Sequence, residues 1–233
     1  MYIVFLLLLL IMFIAISALG AIKEQKRKGV FITEKMQCTN YIQAIALLWG
    51  VTSAVFIMSY IGDISLAEIG FRPITFNYNT WFTAVTLALS GLAFVFFMYQ
   101  LISSLAVAKS GERQVAGSQG ALGMFPRTKK EKRLWFIVSL TAGTCEEIIY
   151  RGFLLFLLQA IFPNIPIILI ILITFVLFGI GHLYQGLKGV IGTGVMGMLF
   201  MCLFLVTDSL IPVMLLHFTI DFSITFILTE KQV

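Results

Sequence analysis

The sequence predicts an all-α protein, a polytopic bundle of about seven transmembrane helices, with about six to eight helices consistent with the pattern. Hydrophobic residues make up 60% of the 233-residue chain and charged residues only 12%, whereas an ordinary soluble domain has roughly 25% charged residues. The apolar residues also fall in runs of about 20, the length that crosses a bilayer. This composition excludes a disordered tail, a collagen-like fibre and a disulfide mini-protein, and leaves too few polar residues to cover a soluble globule.

The predicted spans follow one another within a single integral membrane domain, 1–233. Their ranges are Tyr2–Ile22, Tyr41–Gly62, Trp81–Ala108, Leu134–Ile161, Pro166–Leu183, Gly189–Val206 and Ile211–Leu228. We interpret the first span as a retained anchor, because its apolar run is longer than that of a signal peptide and the positive charge follows it. Ala18-Leu19-Gly20 loosely resembles a cleavage site, so a signal peptide is the alternative.

The basic residues predict an N-out, C-in orientation. Of 16 Lys and Arg residues, five lie between Lys23 and Lys35 and seven between Lys109 and Arg133. Cytoplasmic loops of membrane proteins carry such an excess. We therefore expect these loops to contact anionic lipid headgroups rather than nucleic acid. The turn at Asp208 then faces outside, where we expect its carboxylate to be solvated.

Charged and polar residues inside the predicted spans mark the candidate site. The fourth span contains Glu146, Glu147 and Arg151, and the two histidines of the chain lie in later spans. A charge near the bilayer centre costs about 2.5–3.5 kcal/mol. These side chains must therefore pair, lose their charge or face a water-filled cavity.

Spacing indicates which of these side chains act together. Glu147 and Arg151 are four residues apart, so they share a helix face and can form an ion pair. Glu146 is rotated about 100° from Glu147 and projects elsewhere. His217 and Asp221 are again four residues apart on one face.

Hydrolysis is the chemistry that such side chains can perform. Glu146 can take a proton from water while His182 holds the same water molecule, and a second histidine can stabilise an oxyanion. By the predicted ranges, however, Glu146 lies in mid-membrane, His182 near the inner end of its helix and His217 closer to the outer side.

A metal site is the alternative interpretation of the same residues. One carboxylate and two imidazoles suit catalytic zinc, so Glu146, His182 and His217 are the candidate ligands. The His-Glu-x-x-His motif of common zinc peptidases is absent. The spacing leaves the choice between zinc and a mechanism without a cofactor open.

Three motifs resemble those of the CPBP family of intramembrane proteases, which includes the type II CAAX prenyl endopeptidases and bacteriocin-processing or immunity proteins. Glu146-Glu147-Ile148-Ile149-Tyr150-Arg151 has the form Glu-Glu-x-x-x-Arg. Phe178-Gly179-Ile180-Gly181-His182 has the form Phe-x-x-x-His, and His217-Phe218-Thr219-Ile220-Asp221 has the form His-x-x-x-Asn/Asp. The resemblance implies that 134–228 is the motif-bearing catalytic core and that 1–108 provides accessory transmembrane helices.

The resemblance also implies a role for each motif residue. Glu146 corresponds to the catalytic glutamate, and His182 helps to hold its water. Glu147 and Arg151 correspond to its orienting partners.

His217 and Asp221 match the group proposed to stabilise the oxyanion. Asp221 stands where many CAAX endopeptidases have Asn. An ionised Asp would be a poor oxyanion donor, so Asp221 must be protonated, pair with His217 or serve a metal.

We therefore predict an intramembrane endopeptidase of a bacterial-type plasma membrane that cleaves a peptide or lipidated protein near the cytoplasmic face. One alternative is a non-catalytic immunity or scaffold protein of the same fold. A small proton-coupled transporter is a third possibility, although the chain lacks the internal repeats typical of one.

Overall fold

The structure of the chain is a computed structural model that describes residues 1–27, 32–76, 80–110 and 126–227. Every regular element within these ranges is helical, and none is a strand. This confirms the predicted all-α class. Positions 28–31 of the first basic segment and 111–125 of the second lie outside the described residues, as do residues 228–233.

Seven helical segments form the bundle, one for each predicted span. They are α1 (Tyr2–Arg27), α2 (Glu34–Ile61), α3 (Thr80–Ser110), a long fourth helix, α6 (Ile167–Gly181), α7 (Gly186–Thr207) and α8 (Leu210–Ile227). The fourth helix is continuous and consists of α4 (Lys129–Glu147), a π-helical segment (Ile148–Leu154) and α5 (Leu155–Ile161). A short 3₁₀ turn, Leu183–Gln185, joins α6 to α7.

The apolar helices make this chain an integral membrane protein. By length and composition, four helical stretches can cross a membrane: Tyr2–Lys23, Glu34–Ile61, Trp81–Tyr99 and Leu183–Thr207. Two further apolar helices, Ile167–Gly181 and Leu210–Ser223, are shorter. The N-out, C-in orientation remains a prediction.

The fourth helix begins five residues before the predicted start at Leu134, because a capping box stabilises its first turn. The Thr128 hydroxyl accepts a hydrogen bond from the backbone N–H of Glu131 at 3.2 Å. The Glu131 carboxylate in turn accepts from the backbone N–H of Thr128 at 3.2 Å. Two of the donors that a helix start leaves unpaired are thus satisfied.

The fourth helix lies at the centre of the bundle. Its α4 part packs against α2 and α8, while α3 packs against α7 and α8. Helix α6 packs along α7, and α1 lies against α5, α6 and the 3₁₀ turn. Leu9 of α1 and Ile69 of the segment after α2 are fully buried in the same core cluster as Phe153.

Glu146 and His182 lie at the same depth, which corrects the depths expected from the predicted spans. Glu146 precedes the end of α5 at Ile161 by 15 residues, and His182 follows the start of α6 at Ile167 by 15 residues. Each is therefore about 22 Å from the turn that joins the two antiparallel helices. Since α6 ends at Gly181, it brings His182 level with the carboxylates.

Residues 62–76 cover the turn between α7 and α8 and hold Asp208. The Arg72 guanidinium donates to the Asp208 carboxylate at 2.6 Å and to its backbone carbonyl at 2.9 Å. The backbone N–H of Leu210 donates to the Gly70 carbonyl at 3.0 Å. Asp208 stays partly exposed, with 30% of its side chain accessible, and the sequence did not predict that an arginine from the neighbouring loop reaches it.

Contacts between loops agree with the predicted topology, in which successive loops alternate between the outer and the cytoplasmic side. Arg72 and Asp208 come from two loops that were both assigned to the outer side, and they are in contact. On the other side, Arg127 donates to the Ile32 carbonyl at 2.7 Å, which joins the two segments assigned to the cytoplasm. In both pairs, segments assigned to one side of the membrane lie on one side of the bundle.

We predict that Gly152→Ala lowers the free energy of unfolding by about 1–3 kcal/mol, the usual cost of overpacking. A Cβ at position 152 would lie 2.6 Å from the Ile69 carbonyl oxygen, so the segment of residues 62–76 would have to move. The measurement is the thermal unfolding of the detergent-solubilised protein.

Gly50→Ala is the matched control, since a Cβ there would meet nothing within 4 Å. The added methyl group should be neutral or slightly stabilising in a helix interior. Equal melting temperatures for the two variants would contradict the close approach of Ile69 to the fourth helix.

Candidate active site

The Glu-Glu-x-x-x-Arg motif crosses the junction between α4 and the π-helical segment. Glu146 and Glu147 end α4, and Arg151 lies within the π-helical residues, all seven of which are buried. Short π-helical stretches inside α-helices are frequent at functional sites, because they change the direction of the side chains locally. The irregularity therefore coincides with the residues that the sequence singles out.

Glu147 forms the predicted ion pair with Arg151 and also binds His217. Its Oε1 atom accepts from Arg151 Nη1 at 2.9 Å and from His217 Nδ1 at 2.6 Å. Glu147 is fully buried and His217 almost so. We refer to Glu147, Arg151 and His217 as the ion-pair cluster, which connects the fourth helix to α8.

Arg151 is held by α6 and α7 as well. Its Nη2 atom donates to the Gly197 carbonyl at 3.0 Å. The guanidinium carbon lies 4.6 Å from the ring centroid of Phe178 and 5.2 Å from that of Phe200. These distances are typical of cation–π contacts. Arg151 thus lies at the contact of three helices, which fits a positioning role better than a role in bond cleavage.

Glu146 has a different environment from its neighbour. Its side chain is partly exposed, yet its Oε2 atom is shielded and has no hydrogen-bond partner among the described residues. Glu146 lies within electrostatic range of His182, His217 and Asp221. The three motifs therefore converge around a carboxylate that has one oxygen available.

His182 caps the C-terminus of α6, and one of its ring nitrogens is hydrogen-bonded within the same helix. Nδ1 lies 2.8 Å from the Phe178 carbonyl, which can only accept, so Nδ1 carries a proton and donates it. The Phe-x-x-x-His spacing thus fixes the orientation of the imidazole. In the neutral ring Nε2 is then an acceptor.

Two glycines beside His182 allow close packing. A Cβ on Gly179 would lie 2.7 Å from the Val190 carbonyl oxygen of α7, and a Cβ on Gly181 would lie 3.1 Å from the Tyr150 hydroxyl. The space next to the imidazole is therefore used by a neighbouring helix and by the side chain of a motif residue.

His217 lies between two carboxylates. Nδ1 donates to Glu147, and Nε2 lies 3.5 Å from the Asp221 Oδ2 atom. The second distance is longer than a good hydrogen bond, so the Asp221 carboxylate is only loosely engaged. The imidazole also stacks on Phe200 with ring centroids 4.8 Å apart. Asp221 thus lies one helical turn from His217 and within ion-pair distance of its ring, and its protonation state remains a prediction.

Sequence reasoning missed two tyrosines near the site. The Tyr184 ring lies 5.8 Å from the His182 ring, in the 3₁₀ turn that follows α6. Tyr150 stacks on Phe13 of α1, with ring centroids 4.7 Å apart. Both lie within electrostatic range of Glu146. A signal for each of them was present in the sequence. Tyr150 lies inside the first motif, and Tyr184 is an aromatic residue with a hydroxyl group two positions after His182.

The proposed zinc ligands are not placed as a ligand set. Within the ranges that the structure describes, no three His, Cys, Asp or Glu side chains form a group that could hold a metal ion. As placed, Glu146, His182 and His217 therefore do not form a three-ligand zinc site.

Comparison with known families confirms the resemblance drawn from the motifs. Residues 130–223 match the family model described as type II CAAX prenyl endopeptidase Rce1-like. No curated protein and no solved structure matches the chain. The matched segment contains all three motifs, and it supports an intramembrane endopeptidase in general terms.

We predict that the two charges of the ion-pair cluster are strongly coupled. Arg151→Met and Glu147→Gln should each lower the free energy of unfolding by about 3–5 kcal/mol, the typical cost of leaving a buried charge without its partner. The double variant should lose less than the sum, because neither charge then remains alone. Thermal and denaturant unfolding in detergent measure both effects.

Lys129→Met serves as the control, since this residue is exposed at the start of α4. If the single variants do not accumulate, recovery of expression in the double variant reports the same coupling. Strictly additive losses would contradict the contact.

Proposed function

We propose that this chain is an intramembrane endopeptidase in which Glu146 activates water for attack on a peptide bond. The observation that carries the proposal is the contrast between two adjacent carboxylates. Glu147 is fully buried, and its Oε1 atom is held by Arg151 and His217. Glu146 is partly exposed and lies outside this ion-pair cluster, although each carboxylate has an Oε2 atom without a hydrogen-bond partner among the described residues. A general base needs a carboxylate that water can reach.

His182 is suited to holding the water beside Glu146. Its Nδ1–H is committed to the Phe178 carbonyl, so Nε2 can accept one hydrogen of the water. Glu146 can accept the other hydrogen, and the oxygen lone pair then faces the scissile carbonyl. The fixed tautomer of His182 supports this assignment.

His217 and Tyr184 are the candidate donors for the oxyanion. With Nδ1–H donated to Glu147, a proton on Nε2 makes the His217 ring a cation between two carboxylates. In that form the Nε2–H group can donate a hydrogen bond to the developing oxyanion instead of to the Asp221 carboxylate, which lies 3.5 Å away. The Tyr184 hydroxyl accepts a hydrogen bond from Gln185 at 3.3 Å, so its own proton can serve as a second donor.

The proton and bond changes balance without a further reactant. Glu146 takes a proton from water as the carbon–oxygen bond forms, and the carbonyl becomes a tetrahedral oxyanion. When the oxyanion collapses, the carbon–nitrogen bond breaks and Glu146 returns the proton to the leaving amine. The products are a carboxylic acid and an amine, and the enzyme is restored.

We place the reaction near the cytoplasmic face of a bacterial-type plasma membrane, on a membrane-associated or lipidated peptide. Residues 62–76 cover the bundle on the predicted outer side, where Ile69 is fully buried. His182 instead ends the short helix α6 toward the predicted cytoplasmic side. The basic segments of that side would contact anionic lipid headgroups. A family whose description names prenyl endopeptidases makes a prenylated C-terminus one candidate substrate.

We predict that Glu146→Gln loses peptide cleavage by roughly 10²–10⁴-fold, the typical contribution of a general base, while the melting temperature is unchanged. Glutamine keeps the shape but cannot take the proton. The assay uses the purified chain in lipid vesicles, with a peptide ending in a prenylated Cys-aliphatic-aliphatic-X motif and its unprenylated counterpart.

Glu68→Gln is the matched control, because this exposed carboxylate lies outside the candidate spans. Full cleavage by Glu146→Gln would overturn the proposed base. A wild-type chain that binds a peptide partner without cleaving it would instead favour the immunity or scaffold alternative.

Exhaustive chelation should leave the rate of cleavage unchanged, since the described carboxylates and imidazoles do not form a metal-binding group. The experiment compares kcat before and after chelator treatment of enzyme whose metal content is measured. Activity that disappears with the metal and returns with added Zn²⁺ would contradict the glutamate-only mechanism.

A further inference from the structure

We propose that a cleft between α1 and α2, at their predicted cytoplasmic ends, binds the headgroup of an anionic phospholipid. The cleft encloses a cavity of about 360 Å³. Its lining combines apolar and cationic side chains: Leu19, Ile22, Lys23, Lys26, Met36 and Asn40. The proposal does not depend on the peptidase activity proposed above.

The cleft exists because α1 and α2 pack against different parts of the bundle. Helix α1 lies against α5, α6 and the 3₁₀ turn, whereas α2 lies against α4 and the π-helical segment. The lining residues of α1 end the helix, and those of α2 begin it. The two helices therefore leave a space between them on the side where both approach the same basic segment.

The polar lining suits a phosphate group. The Lys23 ammonium donates to the Gln43 side-chain oxygen at 2.7 Å, which orients it along the wall of the cleft. Lys26 is exposed and Asn40 adds an amide. None of the six lining residues is acidic. Among the described residues, the lining of the cleft thus includes two lysines, one of them oriented by Gln43.

The apolar lining favours a phospholipid over a free phosphate ion or a soluble peptide. Leu19 is 67% exposed and Ile22 is 50% exposed, so both can contact acyl chains. Lys23 and Lys26 follow the apolar run of α1 in its last two turns, where a basic end of a spanning helix meets the headgroups. The predicted orientation assigns this end to the cytoplasmic leaflet, the one that carries anionic lipids.

The cleft is also adjacent to the candidate site. Leu19 precedes Gly20, and a Cβ at Gly20 would lie 3.7 Å from the Tyr184 ring. Tyr184 belongs to the 3₁₀ turn that follows His182. A lipid bound in the cleft would therefore hold α1 beside the turn that positions the site.

The test is native mass spectrometry of the purified full chain titrated with phosphatidylglycerol or with phosphatidylcholine of the same acyl chains. We expect one tightly bound phosphatidylglycerol per chain. Binding should weaken by roughly 30-fold in Lys23→Gln/Lys26→Gln, since each surface lysine contributes about a factor of five. Melting temperatures of the variants verify that they are folded.

The matched control is Lys129→Gln/Lys130→Gln, which removes two exposed charges from the same predicted side but not from the cleft. Its affinity for phosphatidylglycerol should fall clearly less than that of Lys23→Gln/Lys26→Gln, because neither side chain lines the cleft. Equal losses in both double variants, or equal affinity for the two lipids, would overturn the proposal. Displacement of the lipid by inorganic phosphate alone would also overturn it, since the apolar lining would then have no role.

Discussion

The buried contact of Glu147 with Arg151 and His217 is the interaction on which the rest of the candidate site depends. Removing a carboxylate and a guanidinium from water costs several kcal/mol for each group, so the pair needs further hydrogen bonds. Gly197 supplies one from α7, and His217 supplies another from α8. Phe178 of α6 faces the guanidinium. One ion-pair cluster therefore connects the three helices that carry the motifs with α7.

The cluster also explains how two neighbouring glutamates can have different roles. Glu147 is fully buried and pairs with Arg151 and His217, while the preceding carboxylate, Glu146, is partly exposed and lies within electrostatic range of His182. Arg151 and the Nδ1 atom of His217 are hydrogen-bonded to Glu147. Neither group therefore neutralises Glu146 by direct contact. The cluster thus offsets part of the cost of burying Glu147, whose Oε2 atom has no hydrogen-bond partner among the described residues, and Glu146 stays outside the cluster.

Sequence spacing predicted the local contacts and missed those that depend on tertiary packing. Glu147 and Arg151 are one helical turn apart, as are His217 and Asp221, and both pairs are in contact. The His217–Glu147 contact joins residues 70 positions apart, which helical periodicity cannot predict. The π-helical segment has no signal in an apolar sequence. The ion pair of Asp208 was missed because its partner, Arg72, lies in a distant loop.

Helix length explains why the site can form inside the membrane. Helix α6 has 15 residues and extends about 22 Å, less than the roughly 30 Å of a hydrocarbon core. Its C-terminal histidine therefore ends below the surface, and the following 3₁₀ turn places Tyr184 at a similar depth. Irregular backbone at this depth is tolerated only where it is buried in protein or lines a polar cavity. Here α1 covers the turn, through the approach of Gly20 to Tyr184. A helix outside the motif region is thus part of what allows His182 to face Glu146 within the bilayer.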